Sequence, residues 1–209
     1  MSLRRFCTTA LLALLSIAFV RPAAADTVNL KYLGVQNQRT YFSISGINKY
    51  KELMSDSFDN KVYTGQSWSA SAMPLLTGIA KGMFGPGMSL DYKAAGLIYR
   101  RMLSNKLTVA QAQWAIWGLF STNAQNTKEY SAFGGATIDA TFLALAKTAP
   151  TKDYNGLFLY TPLGAKPGSG LMEFIGYNCS TVPEPGSLTL LGTGLLGLAL
   201  AIRFKVAKS

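Results

Sequence analysis

The run Ser187–Ile202 carries no charge and is built from Leu, Ala, Gly, Ile, Ser and Thr. Arg203, Lys205 and Lys208 close it abruptly. An uncharged run ended by a basic cluster is the pattern of a membrane segment whose basic end stays on the cytoplasmic side. As a helix at ~1.5 Å per residue it would cover roughly 24 Å, short of a ~30 Å hydrocarbon core. The flanking cations can snorkel to make up the difference. Val182, Pro183, Glu184 and Pro185 precede the run. Two locked φ angles make that tetrapeptide stiff. These residues therefore lie outside any water-soluble core.

The other end is also excluded from such a core. Arg4 and Arg5 precede the mostly apolar stretch Phe6–Val20, and Ala23-Ala24-Ala25 offers small residues for cleavage before Asp26. This is a secretory signal peptide. The organisation that follows is signal peptide 1–25, exported domain 26–178, linker 179–186, transmembrane helix 187–202 and basic cytoplasmic tail 203–209. The middle segment is long enough to bury a core of its own.

The order VPEP, apolar run, basic end at Val182–Ser209 resembles the PEP-CTERM sorting signal of Gram-negative bacteria. The resemblance implies that exosortase, a membrane-embedded transpeptidase-like enzyme, recognises the Pro-Glu-Pro motif. It implies an inner-membrane precursor and delivery to the cell surface or extracellular matrix. It carries nothing about the chemistry of the exported domain.

The formal charge of +10 shrinks once the ends are set aside. Residues 26–182 hold 14 basic and 9 acidic side chains, scattered along the sequence with only Arg100 and Arg101 adjacent. A nucleic-acid footprint would be a clustered patch, so no nucleic-acid partner is expected. The mild charge fits contact with extracellular polysaccharide or the membrane equally well, and mere solubility better than either. The chain has no His, which excludes Ser-His-Asp and Cys-His catalysis and removes the commonest metal ligand. Cys7 leaves with the signal peptide, so Cys179 has no intramolecular disulfide partner. No calcium-loop spacing occurs, and no cofactor, metal site or catalytic residue is assigned.

Periodicity suggests strands at Val28–Val35 and Thr40–Ile47, a short strand Lys61–Tyr63 inside a turn-rich Met54–Gly65, and an apolar, helix-compatible Trp68–Ala80. Helices follow: one capped by Ser89 and running to Met102, one over Val109–Phe120 behind a Thr108/Gln111 capping box, and one capped by Thr137. Strands return at Leu157–Tyr160 and Leu171–Tyr177. The class is α+β, with N- and C-terminal antiparallel strands around a central group of helices.

Two body segments stand out, SDSFDNKVYTGQSW (Ser55–Trp68) and AQAQWAIWGLF (Ala110–Phe120). Together they resemble a group of PEP-CTERM exported proteins and, more distantly, the thioester domains of bacterial surface adhesins. Those domains join an early Cys to the Gln of a Gln-x-Ala-Ile-Trp helix. Here Gln113-Trp114-Ala115-Ile116-Trp117 matches the helix motif, and Ser55 stands where the Cys is expected. The resemblance implies the fold with a vestigial Ser55/Gln113 pair and no thioester. From the residues alone, Trp114 and Trp117 read as core aromatics, and Asp56 and Asp59 as turn residues bonding their own backbone. An exported, non-catalytic surface or matrix protein is the expectation. The alternatives are an adhesin-like binding module with its reactive centre lost, and a polysaccharide hydrolase using Asp56 and Asp59.

Overall fold

Four strands lie in the N-terminal part of the computed structural model, which describes residues 26–36, 39–45, 51–164, 166–167, 170–177 and 193–194. They are β1 (Asp26–Gln36), β2 (Arg39–Ile44), β3 (Lys51–Ser55) and β4 (Ser67–Pro74). Two more, β5 (Leu157–Pro162) and β6 (Phe174–Tyr177), come from the far end of the domain. All neighbours are antiparallel, and the order β1-β2-β3-β6-β5-β4 closes a six-stranded barrel. Closure leaves no strand edge unpaired. Residues Ala25–Cys179 form one unit; of the other, 1–24 with 180–209, only 193–194 are described.

The barrel is filled by side chains that alternate into it. Leu30, Phe42, Ile44, Leu53, Trp68, Ala70, Tyr160 and Phe174 form one buried cluster. The rings of Phe42 and Phe174 lie 4.5 Å apart, and Trp68 stacks on Phe174 at 6.0 Å. Gly34, at φ 114°, sits where the β1–β2 register shifts, a bulge conformation that a side chain would strain.

Between β4 and β5 the chain makes its helices: α1 (Leu75–Gly78), α2 (Ser89–Leu103), α3 (Val109–Phe120), α4 (Thr122–Gln125), α5 (Lys128–Ala132) and α6 (Gly135–Ala146). Ile98, Tyr99, Met102, Ala112, Ala115, Ile116 and Phe142 share a second buried cluster with Leu157, Leu159 and Ile175. Strands β5 and β6 are thus buried on both faces, Leu159 and Ile175 toward the helices, Tyr160 and Phe174 into the barrel. That is why their sequences are apolar nearly without interruption.

Several expectations need correction. The α+β content and antiparallel strands are present, but the strands of both ends join in one barrel beside the helices and do not surround them. Lys61–Tyr63 is not a strand; the third strand is Lys51–Ser55. Ser67–Pro74 is a strand, and helix begins only at Leu75, because Pro74 is extended (ψ 136°). Ser89 is the first residue of α2 and not its cap, and the cap of α6 is Gly134, with Thr137 inside the helix. The Thr108/Gln111 capping box forms as expected, with Gln111 N donating to Thr108 Oγ1 at 3.2 Å and Thr108 N donating to Gln111 Oε1 at 3.0 Å. Among the described residues no helix is long and apolar enough to cross a membrane. The signal peptide and, apart from Thr193 and Gly194, the Ser187–Ile202 segment lie outside the described residues.

Candidate functional site

The segment leaving β3, Ser55–Asn60, is where barrel and helices are tied together. Ser55 Oγ accepts from Ser57 N at 3.0 Å, which curls the chain at the strand end. The Gln113 side chain, on the first turns of α3, donates from Nε2 to the Ser55 carbonyl oxygen at 2.6 Å. The structure therefore brings Ser55 and Gln113 together, 58 positions apart in sequence. The bond is from the amide to the backbone carbonyl, while the Ser55 hydroxyl is engaged by its own turn.

Next to them is a fully buried carboxyl pair. Asp56 and Glu173 are both 0% exposed. Glu173 accepts from Met83 N at 2.9 Å, from Tyr92 Oη at 2.5 Å and from the Thr161 hydroxyl. Its own N donates to Ser57 Oγ at 3.2 Å, and Asp56 N donates to its carbonyl at 3.3 Å. Asp56 Oδ1 accepts from Ser57 Oγ at 2.9 Å, and Oδ2 has no donor among the described residues. Burial holds the Asp56 carboxyl well above the usual carboxylate range, and the Glu173 charge adds to it. A protonated Asp56 is itself a donor, so its proton faces Glu173 and removes the repulsion between two buried anions. Burial, with the two carboxylates adding, also pushes the Tyr92 phenol upward, so it stays a donor.

Asp59 does different work. It accepts from Ser121 Oγ and Asn123 Nδ2, both at 2.8 Å, and so fastens the loop to the end of α3. Asn60 Nδ2 donates to the Leu171 carbonyl at 2.6 Å. Asp59 is therefore not a turn residue bonding its own backbone but a bridge to a distant element, while the Asp56 side chain bonds locally, to Ser57 and its own backbone. A cleft of about 50 Å³ is lined by Ser57, Phe58, Asp59, Asn60, Phe84, Ser121 and Pro167, and Asp56 is not on its wall. Trp114 and Trp117 also depart from expectation. Both are half-buried and pack with Phe58 in a ring trio, at 5.7 Å and 5.3 Å from it and 5.0 Å from each other. They join loop to helix and are not members of either buried apolar cluster.

Glu173 and Tyr92 are the members of this cluster that sequence reading missed. The available signal was a lone Glu inside the apolar stretch Leu171–Tyr177. A carboxylate there must either face water or be paired, and this one is paired. Among the described residues no group of three or more His, Cys, Asp or Glu could hold a metal.

The tail supplies the decisive comparison, because VPEP, the apolar run and the basic end occur in that order. Residues 181–204 match the PEP-CTERM protein-sorting motif. A PEP-CTERM motif implies an exported protein that passes through the inner membrane and is a target of exosortase. The motif residues Val182, Pro183, Glu184 and Pro185 and the basic residues Arg203, Lys205 and Lys208 lie outside the described residues. The barrel-and-helix domain is similar to the N-terminal thioester domain of a surface protein from Clostridium perfringens. Identity is 13% and the TM-score 0.42, over 73% of this chain and 99% of that one. No curated protein is significantly similar to this chain in sequence.

Proposed function

We propose that this chain is an exosortase-sorted protein of the cell surface or extracellular matrix, whose exported domain binds or scaffolds and does not catalyse. The observation carrying this reading is the sorting motif at residues 181–204. The architecture of the carboxyl pair supports the non-catalytic part. Asp56 and Glu173 are closed off from solvent, so no substrate reaches them in the folded domain. Their partners lie on β5 and α2, in the segment just after β3 and in the loop at Met83, the arrangement of a structural tie. Extracellular polysaccharide fits as the class of partner for a domain delivered to that location.

The sorting half is tested by replacing Pro183 and Pro185 together with Ala. The expected result is a precursor that keeps its C-terminal segment and stays in the inner membrane. Identical mass and location for variant and wild type would contradict the reading.

A second reading, an adhesin-like module derived from a thioester domain with its reactive centre lost, is favoured by the 2.6 Å approach of the Gln113 amide to Ser55. Ser55→Cys would restore a nucleophilic thiol beside that amide. Sulfur would then attack the Gln113 side-chain carbon, an S–C bond would form, and ammonia would leave with the thiol proton. The expected outcome is a fraction of the variant lighter by one ammonia and sensitive to methylamine. A variant with the full amide mass and a titratable thiol throughout would remove this reading.

A further inference from the structure

A second concavity lies away from this site. A groove of about 670 Å³ runs between the C-terminal ends of α2 and α6, the turn 151–154 and the end of β6. Three exposed large apolar residues line it: Leu103 (40% exposed), Leu145 (44%) and Tyr177 (37%). Exposed apolar groups gathered in one concave surface mark a contact site, whereas single ones do not. Arg100 and Arg101 line the same groove. Arg100 is held there by donating to the Asp153 carbonyl at 2.5 Å, while Arg101 is exposed.

Charge around the groove is lopsided. Stretches 97–106 and 142–153, which supply most of its wall, contain Arg100, Arg101, Lys106, Lys147 and Lys152 against the single acid Asp153. Lys106, Lys147 and Lys152 are exposed. In sequence these cations look scattered; the packing of α6 beside α2, C-terminal end by C-terminal end, brings their stretches together. Part of this charge complements the two helix C-termini. That role does not call for exposed leucines beside it.

Chain connectivity identifies the occupant. Tyr177, on the groove wall, is the last residue of β6, and the uncharged run begins at Ser187. The length of chain between them can bridge at most about 35 Å. A tail seated in a bilayer therefore keeps this groove near the membrane surface at high effective concentration.

We propose that the groove is a membrane-contact surface for an anionic phospholipid bilayer, with Leu103, Leu145 and Tyr177 entering the interfacial region and Arg101 and Lys147 meeting the headgroup phosphates. The contact lays the domain against the membrane while the tail is still attached. It rests on the tail being membrane-seated, which nanodisc co-purification reads separately from the groove itself.

The test uses the full chain in nanodiscs of phosphatidylcholine, with or without phosphatidylglycerol, and follows amide exchange at residues 101–106 and 145–150. Anionic lipid is expected to slow exchange there, and each cation removed should weaken that contact about fivefold. Arg101→Glu with Lys147→Glu should abolish the difference between the two lipids, as should raised salt. Both positions are exposed, so the melting transition should stay in place; Leu145→Ser gives an independent, charge-neutral loss. Equal exchange in both lipids would overturn the proposal. So would equal protection of the detergent-solubilised chain without lipid, which would assign the groove to the chain's own tail or to a second copy.

Discussion

Glu173→Ala is expected to destabilise the domain by about 3–5 kcal/mol, the range for removing one member of a buried charged network. Glu173 receives the Met83 N–H, the Tyr92 hydroxyl and the Thr161 hydroxyl. Truncation leaves those donors buried, each at a desolvation cost of about 1–3 kcal/mol. It also takes away the partner of the Asp56 proton. The donors lie on β5, on α2 and in the loop before α2, so the loss loosens barrel and helices together. Glu173→Gln keeps an acceptor oxygen and should cost clearly less. Urea midpoints for wild type, Ala and Gln variants check the ordering. An Ala variant with the wild-type midpoint would mean that the network contributes nothing net.

The second large effect is on pH. Asp56 and Asp139 both hold their protons more tightly folded than unfolded. Burial is the first cause in each case, with the Glu173 charge adding at Asp56 and the Asp91 charge adding at Asp139. Asp139 is pushed up to about 7 although Tyr130 Oη donates to it at 2.7 Å. A raised carboxyl pKa contributes stability that is complete below the unfolded value near 3.8 and is lost as pH rises through the folded value. The domain should therefore be more stable at pH 4 than at pH 7, with about 2–3 kcal/mol of the difference coming from Asp139 after allowance for solvent screening. Asp139→Asn should flatten the slope below neutrality, and Asp56→Asn should flatten whatever slope continues above it. Urea midpoints that rise between pH 4 and pH 7 would contradict this sign.

What was legible in the sequence is what local rules determine. Thr108 and Gln111 announced the start of α3 because a capping box needs no tertiary partner. Alternation gave β1 and β2 because each has one face in the barrel. Long-range pairing was not legible. Ser55 pairs with Phe174, and Pro74 with Phe158, through registers that no local window encodes. Without them, Lys51–Leu53 carried no assignment, Met54 and Ser55 fell in the turn-rich stretch, and the apolar Trp68–Ala80 could pass for helix. The candidate site split along the same line. Ser55 and Gln113 could be picked from their segments, and they do meet. Asp56 could be noticed, but its partner lies beyond the whole helical insertion, so it was assigned to a turn. The groove had the same cause: Arg101 on α2 and Leu145 on α6 come to line one surface only after the two helices pack together.

The central claim is that the folded domain is cargo for a C-terminal sorting signal. The most direct measurement is the intact mass of the mature protein recovered from cells that contain exosortase and from cells that lack it. The account predicts a product without residues 1–25 in both. With exosortase present, the product should also have lost the segment beyond the Pro183-Glu184-Pro185 motif, as free chain or as an adduct at the new C-terminus. A mature protein that retains Ser187–Ser209 in both kinds of cell would contradict it.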